Sequence, residues 1–86
     1  NPKNISDRKS VIMDGPRTEV GPRAELIGTT IRDARKIAGL TQVQVAELAG
    51  ISDATLRDIE HGSGSPSLRA VLETLDVLGL RLEVTQ

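Results

Sequence analysis

The sequence predicts an all-α domain of four to five short helices, followed by one short C-terminal β-strand. Three observations carry that expectation. Apolar residues recur at intervals of three and four between Ile27 and Leu78. Gly39, Gly50, Gly62 and Gly79 each fall where such a periodic run ends. Beyond Gly79 the period changes: Leu80-Arg81-Leu82-Glu83-Val84 alternates strictly, the pattern of a half-buried strand.

Each element follows from its residues. Pro2, Pro16 and Pro22 fall early with Gly15 and Gly21, and Ile5, Val11, Ile12, Met13 and Val20 keep no sustained period. That composition predicts a flexible tail over 1–23. From Ala24 onward Ile27, Ile31, Ala34 and Ala38 form one face of a first helix, ended by Gly39. Thr41 sits where an N-cap belongs, and Val45, Leu48 and Ala49 give the second helix its buried face before Gly50 breaks it. Ser52 caps a third helix, with Leu56 and Ile59 inward and Gly62 as its stop. Gly62-Ser63-Gly64-Ser65-Pro66 reads as a loop. Leu68, Val71, Leu72, Leu75 and Leu78 make the inner face of a fourth helix. The chain thus divides into a tail over 1–23, a helical domain over 24–79 and a strand segment over 80–86.

Composition bounds the chemistry. A chain of 86 residues is one small domain, burying roughly 60–65% of its unfolded surface. Phe, Trp and Tyr are absent, so no ring is available to stack on single-stranded bases. With no Cys and a single His, His61, the chain lacks ordinary zinc ligands and thiol nucleophiles, and no cofactor is expected. Lack of Cys fits a cytoplasmic setting. No apolar run approaches a membrane span, so no membrane partner is expected. Eleven Lys and Arg stand against twelve Asp and Glu, a net charge of −1, so any contact with a polyanion must be local.

Enzyme chemistry finds no footing. Gly62-Ser63-Gly64 follows a helix rather than a strand and is too short for a phosphate loop. Asp58 and Glu60 lie two apart on a helix and do not face one another. The informative feature is the junction at Gly50. Two short helices meeting there have the spacing of a helix-turn-helix: a small residue, Ala46, for the close crossing; a glycine for a left-handed turn; and Val45, Ala49, Ile51, Leu56 and Ile59 to lock the pair.

Ile27-Gly28-x-x-Ile31-Arg32-x-x-Arg35, Gly39-Leu40-Thr41-Gln42-x-x-Val45-Ala46-x-Leu48-Ala49-Gly50-Ile51-Ser52, Ile59-Glu60-x-Gly62 and Pro66-Ser67-Leu68 together resemble the Xre/Cro-repressor family of DNA-binding domains. The resemblance covers about residues 26–79. It implies a repressor-like helix-turn-helix domain: a sequence-specific, cytoplasmic, nucleoid-associated transcriptional regulator of a bacterial or phage kind, dimeric on a palindromic site in double-stranded DNA. In the family's pattern Thr41 is the cap, Gln42 fixes a phosphate, and Ser52, Asp53, Ala54, Thr55, Arg57 and Asp58 form the surface facing the major groove. Arg57 has the reach for guanine O6 and N7, and Thr55 offers a hydroxyl or a methyl. Arg35 and Glu60 match an ion pair joining the first helix to the end of the third. Asp53 and Asp58 depart from the pattern, because carboxylates near phosphates are repelled. His61 reads as an exposed helix-end residue. The tail's Arg8, Lys9, Arg17 and Arg23 offer a second reading of 1–23 as a basic arm on DNA, against which stand Asp7, Asp14, Glu19 and Glu25.

The strand after the fourth helix further resembles the HipB-type antitoxins, in which a C-terminal strand from each subunit joins an intersubunit sheet. This implies a homodimer held by Leu80, Leu82 and Val84, a toxin protein as further partner, and repression of the protein's own operon. A short strand needs a ladder partner, and the proline-bearing tail reads as a poor one, so a second copy of the strand is the expected partner. The alternative of another class is a protein-interaction module with the same fold that binds only a partner protein; Asp53, Asp58 and the net charge of −1 favour it.

Overall fold

The computed structural model describes residues 10–13 and 20–85. In chain order they form β1 (Ser10–Met13), α1 (Val20–Ile37), α2 (Gln42–Ala49), α3 (Asp53–Glu60), α4 (Leu68–Val77) and β2 (Arg81–Val84). The four helices of the expected all-α domain are present, and the C-terminal strand follows them. They enclose a core in which Ile31, Val45, Leu56 and Leu75 are fully buried, with Ala46, Ile59, Ala70 and Leu80 around them. Thr74 is also fully buried, and its hydroxyl donates to the Ala70 carbonyl at 2.9 Å, so no polar group is stranded there.

Helix α1 starts at Val20, before the Ala24 read from sequence. Pro22 falls in its first turn, where a missing N–H forfeits no helical bond. Gly28 is buried against the end of α3: a Cβ there would collide with the Ile59 carbonyl oxygen and lie 2.7 Å from that of Glu60. Both are backbone atoms and cannot swing away. The turn between α2 and α3 is built as expected. Gly50 takes φ 74° and ψ 30°, Ile51 N–H donates to the Ala46 carbonyl at 3.0 Å, and the Ala46 side chain is 2% exposed.

Two expected core faces are corrected. Leu48 is 66% exposed, because Val45, Ala46 and Ala49 take the inner side of α2 and leave Leu48 at its flank. In α4, Ala70, Thr74 and Leu75 face the core, which turns Leu68 and Leu72 outward. Ala38 lies beyond the end of α1 and is exposed.

The strand's partner is also corrected. β2 pairs in parallel with β1 of the same chain, Ser10 opposite Arg81 and Met13 opposite Val84, with the helical domain as the crossover. The prolines counted against the tail lie at 2, 16 and 22, none inside Ser10–Met13, and Val11-Ile12 suits a strand. Residues 20–23, also read as tail, belong to α1; the rest of the expected tail, 1–9 and 14–19, lies outside the described residues. Leu80 is buried and Leu82 packs on the core, while Val84 stays exposed. Arg81 pairs with Glu83 of its own strand at 3.1 Å. Among the described residues the sheet has two strands, so the second edge of β2 carries no strand.

Candidate nucleic-acid interface

The surface expected to meet DNA begins with how α3 starts. Ser52 is extended, its hydroxyl accepts the Thr55 N–H at 3.0 Å and donates to the Thr55 hydroxyl at 2.9 Å. The cap leaves Thr55's own hydroxyl proton for another partner. Asp53 occupies the first turn, where the helix dipole favours a carboxylate. With Leu56, Ile59 and Glu60 turned inward, Ala54, Arg57, Asp58 and His61 line the outer side. Arg57 Nη1 donates to Asp53 Oδ2 at 3.3 Å, one turn apart, the side chains 48% and 52% exposed. His61 caps the far end of α3, its Nδ1 2.9 Å from the Arg57 carbonyl oxygen.

The start of α2 is organised by a capping box. Gln44 N–H donates to Thr41 Oγ1 at 3.1 Å, and Thr41 N–H donates to Gln44 Oε1 at 2.9 Å. Thr41 thus holds the cap expected of it. Gln42 turns inward instead of standing free: its Nε2 donates to Glu60 Oε1 at 3.0 Å. Glu60 also accepts from Arg35, through Nε at 2.7 Å and Nη2 at 3.1 Å, and Arg35 Nη1 reaches the Leu40 carbonyl oxygen at 3.0 Å. The Glu60 and Arg35 side chains are only 3% and 11% exposed. A carboxylate is an acceptor only, so it fixes the Gln42 amide with its NH₂ inward and one N–H still to give. Three helix ends are thereby pinned at one point: the end of α1 and the start of α2, joined by a short turn, and the end of α3.

The expected residues therefore fall into two groups. Ser52, Asp53, Ala54, Thr55, Arg57 and Asp58 share α3, while Thr41 and Gln42 stand at the start of α2, tied to α3 through Glu60. Sequence reasoning missed that tie, because residues 18 apart carry no local signal. It also missed Ser65 and Ser67, which close a cleft with Ser52, Thr55 and Asp58; Ser65 was legible only as part of a loop, and Ser67 only as part of the Pro66-Ser67-Leu68 motif. Leu80, Leu82 and Val84 lie apart from this surface, at the sheet. Among the described residues no group of His, Asp and Glu could hold a metal ion, and no helix is long and apolar enough to cross a membrane.

Comparison with known proteins assigns the chain's family. Residues 26–86 match the family model of a helix-turn-helix domain. The chain is 40% identical over 57 residues to the uncharacterized HTH-type transcriptional regulator YazB of Bacillus subtilis (strain 168), covering 66% of this chain and 83% of that protein. It is 39% identical over 56 residues to the immunity repressor protein of Bacillus phage phi105, covering 65% of this chain but only 39% of the repressor.

Proposed function

Because the chain belongs to the helix-turn-helix domain family, we propose that it is a DNA-binding transcriptional regulator, a repressor, that reads double-stranded DNA with α3. It is not an enzyme. The observation that carries the reading is the outer side of α3, where Ala54, Arg57 and Asp58 stand on a helix fixed at both ends, by the Ser52 cap and by Glu60. Ala54 offers a methyl to thymine, Arg57 a fork of donors to guanine, Asp58 an acceptor to cytosine N4. The free N–H groups at the start of α2, with the remaining N–H of Gln42, suit a phosphate. Ser52 and Thr55 flank the same groove-facing turn.

The regulator acts as a homodimer in this reading. The edge of β2 away from β1 takes the same edge of a second copy, antiparallel about a two-fold axis, beside Leu80, Leu82 and the exposed Val84. Two α3 helices about one DNA turn apart, roughly 34 Å, then require a near-palindromic site. The antitoxin version adds a toxin partner and control of the protein's own operon. A second reading, an interaction module that binds only a protein, is favoured by the exposure of Leu48 and Leu68 and by Asp53 and Asp58, the two exposed carboxylates on α3.

Duplexes selected by the protein from a random library provide the test. Arg57→Ala should cost about 1–3 kcal/mol on the selected site and relax one position of it. Equal affinity and equal selectivity in variant and wild type would overturn base reading by Arg57; failure of the wild type to bind any duplex would favour the interaction module.

A further inference from the structure

Asp53 is the feature that base reading leaves unexplained. A carboxylate in the first turn of a helix facing phosphates should weaken binding, yet this one lies 3.3 Å from the guanidinium of Arg57. The order is the favourable one for an acid and a base one turn apart, with the acid nearer the helix N-terminus. Asp58 differs: among the described residues it joins no ion pair. The two exposed carboxylates of α3 therefore differ in their partners. One is a bare negative charge, and the other is half of a neutral couple.

We propose that Asp53 sets specificity through Arg57, engaging one N–H of the guanidinium so that the arginine is withheld from arbitrary phosphates and its remaining donors are held out for a guanine. The inference rests on α3 reading DNA. A guanidinium carries five N–H donors, and the bond to Asp53 uses one of them at Nη1. Enough remain to engage both O6 and N7 of guanine, so the couple survives on the right base. A phosphate has no such requirement: it attracts a free arginine wherever it stands along the backbone. Holding Arg57 to Asp53 lowers attraction to every sequence except one that offers the paired acceptors. The gain lies in the difference between two affinities rather than in either alone. Asp53 is a positioning residue here, and Arg57 is the group that touches the base.

The test measures the ratio of affinities for a duplex selected by the wild type and for a random duplex of equal length. Asp53→Ala should raise random-duplex affinity and lower that ratio about two- to fivefold, the range an exposed pair one helical turn apart can supply, with a steeper salt dependence on random DNA by about one phosphate. Asp53→Glu, which can re-form the couple, should restore most of the ratio. Asp53→Asn, which keeps the side-chain shape near the helix start, should behave as the alanine variant and carries the test if that variant folds poorly. In an Arg57→Ala background the same substitutions should leave the ratio unchanged. The proposal is overturned if the ratio is unmoved by Asp53→Ala and Asp53→Asn, or if it falls equally without Arg57, which would make Asp53 a direct reader. A wild type that binds neither duplex would overturn the DNA-binding reading itself, and this inference with it.

Discussion

Glu60 accepts hydrogen bonds from Arg35 and Gln42 with its side chain 3% exposed, so the burial of its charge is offset by donors placed on both carboxylate oxygens. An exposed ion pair is worth about 0–1 kcal/mol, whereas removing one member of a buried pair strands the other. Arg35→Ala or Glu60→Ala should each therefore lower stability by about 2–4 kcal/mol in chemical denaturation. The double variant should lose much less than the sum, because it leaves neither charge stranded. Additive losses in that cycle would mean that the two charges act independently. Gln42 belongs to the same node. Its replacement by Ala removes a brace between α2 and α3 together with the proposed phosphate donor, so affinity for selected and random duplexes should fall by similar factors. A loss confined to the selected duplex would assign Gln42 to base reading instead.

Element by element, the helices were legible because their signals are local. Thr41 and Ser52, read as caps, are extended residues whose side chains accept a backbone N–H one turn on; Ser67 caps α4 in the same way, unread from sequence. Gly50 ended α2 on the same local grounds. The inner faces were less legible. Leu48, Leu68 and Leu72 fit an apolar period of three and four, but which of two adjacent stripes faces inward depends on small residues, Ala46, Ala49 and Ala70, that hydrophobicity alone underrates. Helix α3 was readable as a surface, since Leu56 and Ile59 leave Ala54, Arg57 and Asp58 outside. The couple between Asp53 and Arg57 was open to view as an i, i+4 pair, whereas the Gln42–Glu60 bond exists only once the turn has folded α2 against α3.

For the whole molecule, the main surprise is β1, which supplies β2 with a partner that composition argued against. Residue-level patterns could not reveal it, since four residues in a segment rich in proline and glycine carry too little periodicity to stand out. The pairing changes how dimerisation must be tested. Leu80 is 6% exposed and belongs to the core, so a truncation should keep it. Removing Arg81–Gln86 should leave a folded monomer that binds one half-site weakly, as seen by sedimentation and duplex titration. A truncated protein that still sediments as a dimer would place the interface elsewhere. Above that question stands duplex binding itself, for a chain whose net charge is −1 and whose positive contacts must be local. The most direct measurement is a titration of the full chain against its own upstream DNA at low and moderate salt. If a dimer neutralises about six phosphates, affinity should fall roughly a thousandfold between about 50 and 200 mM salt, along a straight line of log affinity against log salt. Absence of duplex binding at low salt, or binding that salt does not weaken, would contradict the account.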